Sequence, residues 1–174
     1  MSREPIKIVM GVACGGKSHF IKNNFPDAVC LDVFDYQQKR KSEMRSRYEA
    51  LTMANEDIKE DLVKNILEGN DVVMEHTLLR AIRREPYIAA IKEVTDRDID
   101  IYCVYPSEEQ YARNLEARDL TLFDVSGMWT VLEVPKKEEG YSHVYIVDEN
   151  GIREQDQEQT KSKSVDRNKG IEDR

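Results

Sequence analysis

The chain is predicted to fold as a three-layer α/β protein, with helices on both faces of a mostly parallel, five-stranded sheet. Two observations predict this. Short apolar runs alternate with longer stretches of helical periodicity, the pattern of strand–helix–strand crossovers. The first apolar run also leads directly into a glycine-rich octet, Gly11-Val-Ala-Cys-Gly-Gly-Lys-Ser18, followed by a helix-forming stretch. At 174 residues the chain is long enough for one domain with a sizeable core. Residues 1–150 are read as that domain and 151–174 as a polar tail.

Ile6-Lys7-Ile8-Val9-Met10 reads as a buried strand, and residues 17–24 as the helix after the octet, ending near Pro26. Ala28-Val29-Cys30-Leu31 is a second short strand. A long helix is expected over 42–68. Met44, Tyr48, Leu51, Ile58, Leu62 and Ile66 recur at the spacing of one helix face, and Gly69-Asn70 is a stop signal. Asp71-Val72-Val73-Met74-Glu75 is the third strand. Residues 80–95 have a helical pattern in which Pro86 should start or bend a helix. Residues 99–105 form the fourth strand, and Ser107 with Gln110 reads as a capping box opening a helix to about 118. Residues 119–130 carry no decisive pattern. Residues 141–147 alternate as a final strand, and Asp148-Glu149-Asn150-Gly151 is a turn. From 152 onward aliphatic residues are scarce and aromatic ones absent, so the tail is expected to be mobile.

Hydrophobic residues make up 40% of the chain and charged residues 34%, the composition of a soluble globular protein. No apolar stretch approaches membrane-spanning length, and residues 1–10 lack a signal-peptide apolar core. No membrane partner and a cytoplasmic setting are expected. Cys14, Cys30 and Cys103 lack metal-ligand spacing, which fits a reduced compartment. The net charge of −8 weighs against non-specific binding to a nucleic-acid backbone. Cations are nevertheless crowded locally, at Lys39, Arg40, Lys41, Arg45 and Arg47 and again at Arg80, Arg83 and Arg84. A basic substrate groove on an acidic protein is therefore possible.

The octet is a complete G-x-x-x-x-G-K-[ST] phosphate-binding loop placed between a strand and a helix. Its glycines let successive N–H groups point at one anion, and the helix N-terminus adds a favourable dipole. Gly11, Cys14, Gly15, Gly16, Lys17, Ser18 and His19 are the expected nucleotide-binding set, with ATP and Mg²⁺ as ligands. Lys17 would reach the β- and γ-phosphates, and the Ser18 hydroxyl would hold Mg²⁺. In an open parallel sheet ligands sit at the carboxyl ends of strands, which selects further candidates. Asp32 or Asp35, after strand two, would accept the proton of an attacking hydroxyl, and one of them could instead cap a helix. Glu75, after strand three, suits Mg²⁺ ligation. His76 is read as a local hydrogen-bonding residue, because no second histidine or cysteine stands at ligand spacing. Thr77 could hydrogen-bond a substrate or cap the next helix. Arg80 and Arg84 could face a substrate or solvent. Arg113 and Arg118, after strand four, could swing over the triphosphate and stabilise the transferring phosphoryl group.

Taken together, these segments resemble the P-loop kinase group that contains polynucleotide 5′-hydroxyl kinases, zeta-type toxins and related small kinases. The resemblance covers about residues 5–148. It rests on Gly11 to Ser18, Asp35-Tyr36, Glu75-His76-Thr77, Arg80 to Arg84 before Pro86-Tyr87-Ile88, Arg113 and Arg118, and the late Pro135-Lys-Lys-Glu-Glu139-Gly140-Tyr141 segment. The chain departs from the pattern at Glu75, where aspartate is usual, and at Gln37, where arginine often stands. The resemblance implies a mononucleotide-kinase-like P-loop NTPase fold with a lid helix. It also implies ATP-dependent transfer of a phosphoryl group to a hydroxyl, with a nucleic-acid 5′-hydroxyl as the expected acceptor. A small-metabolite or nucleotide-sugar kinase, or a nucleotide switch without acceptor, are the rival readings. A regulatory GTPase is disfavoured by the lack of an Asn-Lys-x-Asp motif.

Overall fold

The computed structural model describes residues 4–43 and 46–155. β1 (Ile6–Met10) and β3 (Val72–His76) are buried at every residue, as strands must be when helices cover both sheet faces. They are joined by β2 (Val29–Asp32), β4 (Ile99–Val104), β5 (His143–Asp148) and β6 (Gly151–Glu154) in the order β2-β3-β1-β4-β5-β6. The first five strands are parallel, and β6 returns antiparallel on β5. The sheet thus has six strands where five were expected. The sixth, Gly151–Glu154, lies in the segment assigned to the tail. The Gly151 turn reverses the chain and lets these residues take ladder hydrogen bonds on β5 without needing a buried face. The rest of the tail, residues 156–174, lies outside the described residues, as do Met44 and Arg45.

Successive strand residues point to opposite faces, and the sequence divides accordingly. Ile8, Met10, Met74, Ile101 and Cys103 enter one core, covered by α3 (Arg47–Leu67) and α4 (Ala81–Val94). Val9, Val73 and Val104 enter the other, covered by Phe20 and Ile21 of α1 (Lys17–Asn24). A third cluster joins Val12 of the glycine-rich loop to Tyr111 and Leu115 of α5 (Glu108–Ala117) and Val125 of α6 (Leu122–Val131).

Two helices follow β2: α2 (Val33–Lys41), where no helix was expected, and α3 (Arg47–Leu67), which is the helix expected over 42–68. Asp32 caps the first, accepting from the Phe34 amide at 3.0 Å, and Ser46 caps the second, accepting from the Glu49 amide at 3.3 Å. The buried stripe of α3 is Ala50, Ala54, Ile58, Leu62 and Ile66. Ala50 and Ala54 are buried at its first turns, whereas Tyr48 is 78% exposed instead of joining the core. Pro86 lies inside α4 without interrupting it. The hydrogen bond it forfeits would have gone to the carbonyl of Ile82, on the exposed side of the helix, where water can serve it. The 119–130 segment is largely helical as α6, and Ser107 caps α5 through the Gln110 amide at 3.2 Å. Among the described residues no helix is long and apolar enough to cross a membrane.

Leu62 is fully buried between α3 and the sheet. Leu62→Ala should cost about 2–5 kcal/mol through lost transfer energy and a residual cavity. Urea unfolding should show a lower midpoint with an unchanged slope.

Candidate active site

The site begins where β1 leaves the sheet. Gly11 turns at φ +154, and a Cβ there would lie 2.7 Å from the Val104 carbonyl oxygen, so only glycine lets the chain pass so close to β4. The Gly11 amide donates to the Thr77 carbonyl (3.3 Å), and the Gly15 amide to the Val12 carbonyl (3.2 Å). α1 then starts at Lys17 with Gly16 as an N-cap that offers no side chain. Its first amides are left for an anion. Lys17 is buried and folds back over the loop, its Nζ donating to the Gly11 carbonyl (3.0 Å) and the Val12 carbonyl (2.8 Å). Burial pushes its pKa down, opposed by the carboxylates of Glu75 and Asp32. Cys14 holds a left-handed φ of 62, and its carbonyl is braced by Asn114 Nδ2 at 2.9 Å.

Parallel pairing sets Asp32 of β2 level with Glu75 of β3. The Ser18 hydroxyl donates to Glu75 Oε1 at 2.7 Å. Burial raises the pKa of both carboxyl groups; the Asp32 charge raises Glu75 further, and the Asp35 charge raises Asp32. Among the described residues no three His, Cys, Asp or Glu side chains form a metal cage. Hard oxygens on Ser18, Glu75 and Asp32 fit Mg²⁺, which takes one or two carboxylates and completes its shell with water and phosphate oxygens. Asp35 lies exposed in the first turn of α2, three residues beyond Asp32.

α5 presents Tyr111, Asn114, Leu115 and Arg118 at helical spacing toward the loop. Tyr111 and Leu115 pack with Val12, and Asn114 holds Cys14. Arg118 ends this helix with its guanidinium 5.7 Å from the Phe34 ring, close enough to depress Lys17 further. Arg113 instead turns along the exposed face to Glu109 (2.8 Å) and Gln110 (3.0 Å). Only Arg118 of the expected pair reaches the cleft. Asn114 escaped sequence reasoning, although its spacing from Tyr111 and Arg118 was the available signal.

A cavity of about 590 Å³ opens at the end of β3 between α3 and α4. His76 and Asn55 line it, with Gln37, Tyr48, Thr77, Arg80 and Arg83 around them. His76 Nε2 donates to Asn55 Oδ1 (2.8 Å), which also accepts from the Tyr87 hydroxyl (3.3 Å). The His76 proton therefore sits on Nε2, and its buried Nδ1 is an acceptor with no partner among the described residues. Burial pushes its pKa down to about 3, so the ring stays neutral.

No protein-family model and no curated protein matches the chain. Solved structures do. A Chloroflexus aurantiacus protein assigned as a kinase superposes with a TM-score of 0.67 at 12% identity, over 85% of this chain and 86% of its own. A sugar kinase from a Janibacter species gives 0.59 at 13% identity, over 92% of each chain. The Pnkp1/Rnl/Hen1 RNA repair complex gives 0.55 at 13% identity, over 68% of this chain and 39% of the matched one. The chain has the P-loop kinase fold.

On this P-loop kinase fold the expected residues do not all converge. Thr77 and Arg80 line the cavity, Arg80 loosely paired with Glu133 at 3.6 Å. Arg84 does not face substrate or solvent. It is fully buried and paired with Glu139, because Tyr87, Ile88 and Ile91 turn its side of α4 into the core. His19 is exposed, and its ring pairs with Asn23 one turn on (3.0 Å). Arg40 of the first basic cluster is held by Asp57 at 2.6 and 2.9 Å and clamps α2 to α3.

A carboxyl group whose folded pKa is raised destabilises the fold above that pKa, and the penalty disappears as pH falls through it. Without metal or nucleotide, Glu75→Gln should raise Tm at pH 7 by roughly 2–4 °C, the shift expected for about 1 kcal/mol. Scanning calorimetry across pH should show this gap closing as pH falls toward the ordinary glutamate value of 4.5.

Proposed function

We propose that this chain is an ATP-dependent kinase that moves the γ-phosphate of ATP to a hydroxyl, the 5′-hydroxyl of a nucleic acid. The supporting observation is the cavity beside the phosphate-binding loop. Arg80 and Arg83 stand exposed at its rim, and the Arg83 side chain has no ion pair or hydrogen bond among the described residues. Tyr48 and Ile82, 78% and 66% exposed, offer apolar surface beside them. Cations next to a ring-sized apolar surface suit an acceptor that carries both phosphate and base.

The placement of the residues supports the following roles. The loop amides and Lys17 receive the β- and γ-phosphates, and Lys17 exchanges its loop carbonyls for phosphate oxygens. Ser18 and Glu75 hold Mg²⁺, with Asp32 beside them. The ion supplies neutralisation of charge on the phosphates. Asp32 is committed to capping α2 and lies against Glu75, whereas the exposed Asp35 side chain has no hydrogen bond or ion pair among the described residues, so Asp35 takes the proton of the attacking hydroxyl. Arg118 closes over the transferring group and stabilises its charge. Catalysis is positioning plus electrostatics.

A small polyol acceptor is the second reading. The polar floor of Asn55, His76 and Thr77 favours it, as does the likeness to a sugar kinase.

With γ-labelled ATP and Mg²⁺, label should appear at the 5′ end of 5′-hydroxyl oligonucleotides, and kcat/KM should fall steeply with salt. Asp35→Asn should lower kcat about 10²- to 10⁴-fold. Loss confined to Asp32→Asn would reassign the base. Label on sugars but never on oligonucleotides, with no salt dependence, would replace the nucleic-acid reading with the polyol one. Lys17→Ala should abolish turnover with little change in Tm. Normal turnover in that variant would defeat the kinase assignment itself.

A further inference from the structure

Arg84 has no exposed surface, and all three of its guanidinium nitrogens donate. Nε and Nη2 donate to the two carboxylate oxygens of Glu139 (2.7 and 3.1 Å). Nη1 donates to the Leu78 carbonyl (2.8 Å) and to the Glu133 carbonyl (3.0 Å). These contacts join three segments distant in sequence: the turn after β3, the chain returning from α6, and the 3-10 turn Lys137–Glu139 before β5.

Each segment has a local reason to need an anchor. Leu78 sits at φ 41, a left-handed conformation unfavourable for a residue with a side chain. The preceding Thr77 gives its carbonyl to the Gly11 amide, so a shift at Leu78 is passed to the first residue of the phosphate-binding loop. Glu133 caps α4 from outside, its Oε2 accepting from the Ala81 amide at 2.9 Å. Its own amide donates to the Leu79 carbonyl at 2.7 Å. Glu139 Oε2 also accepts from the Lys136 amide (2.8 Å), closing the 3-10 turn. Gly140, at φ +118, then lets the chain turn toward β5.

We infer that Arg84 is a positioning residue: through the carbonyls of Leu78 and Glu133 it sets the acceptor-side turn, residues 77–80, against the chain that leaves α6, while Glu139 holds its charge. The assignment of that turn to the acceptor rests on the reading proposed above. Net stability is a poor reason for such a pair, since a buried ion pair is often replaceable by apolar side chains without loss. Reaching a bidentate carboxylate and two carbonyls at once requires a planar side chain with five donors, which lysine lacks.

The test compares wild type with the double variant Arg84→Met/Glu139→Leu and with Arg84→Lys. Tm, affinity for a fluorescent ATP analogue, acceptor KM and kcat, and amide hydrogen exchange over residues 77–81 and 131–135 would be measured. The double variant should keep a Tm near wild type and its ATP affinity. Its acceptor KM should rise about tenfold or more, since small misplacements of a substrate site are costly. Exchange should quicken in both segments together. A double variant with wild-type acceptor KM and unchanged exchange would overturn the inference and leave the pair a structural one. Should the double variant fail to fold, Arg84→Lys decides by the same KM and exchange criteria. If wild type phosphorylates no hydroxyl acceptor, the proposed function fails, and coupled exchange in the two segments still decides the role of Arg84.

Discussion

A sheet whose two faces are both covered leaves its polar chemistry only one kind of place to go. Here β1, β3 and β4 are buried almost throughout, so charged groups collect where these strands end. β1 lies between β3 and β4, and its chain leaves at Gly11 while β3 leaves at His76. Register then does the assembly. Met10 lies level with His76 and Asp32 with Glu75, so loop, carboxylates and cavity share one edge without any long connection. The tight passage of Gly11 under the Val104 carbonyl is the narrowest part of this arrangement, because everything from Val12 to Ser18 is aimed by that turn.

The edge is electrostatically unsettled by design of its own residues. Burial raises Glu75 and Asp32, lowers Lys17 and holds His76 neutral. These groups bear on stability with opposite signs. A raised acid weakens the fold above its pKa, and a depressed histidine weakens it as pH falls below 6.5, its ordinary value. A cation or phosphate entering the edge would relieve the carboxylates and the lysine respectively. The stored cost is therefore one that ligands can recover, a common balance at sites kept less stable than their surroundings.

The strands and the loop were legible in the sequence because their signals are local. An apolar run such as Ile6 to Met10 and an octet with four prescribed positions carry their meaning within a few residues. The helices were less legible. α2 contains few apolar residues, and its clearest mark, the Asp32 cap, competed with a catalytic reading of the same side chain. α3 was read by side-chain size, which favoured Tyr48 and Leu51 over the alanines that actually pack. Gly151–Glu154 is exposed throughout and is a strand only because β5 offers an edge, a fact that no local pattern records. Arg84 shows the same limit in the site: within Arg80-Ala-Ile-Arg-Arg84 a basic surface is the natural reading, and the decisive partner stands 55 residues away.

That misreading changes how the charge of the whole molecule should be understood. The crowded cations suggested two basic tracts, yet the fold ties up one arginine from each. Arg40 is consumed by Asp57 and Arg84 by Glu139. What remains near the cleft is sparse and placed: Arg83 with no side-chain partner among the described residues, Arg80 loosely held, and Arg118 with its guanidinium 5.7 Å from the Phe34 ring. On a chain of net charge −8, a few free cations beside a concave site matter more than the same number scattered, because low-dielectric walls focus their field locally. Such a surface does not favour sliding along a nucleic-acid backbone; it favours capture of one anionic group at one edge, the behaviour that the proposed acceptor would require.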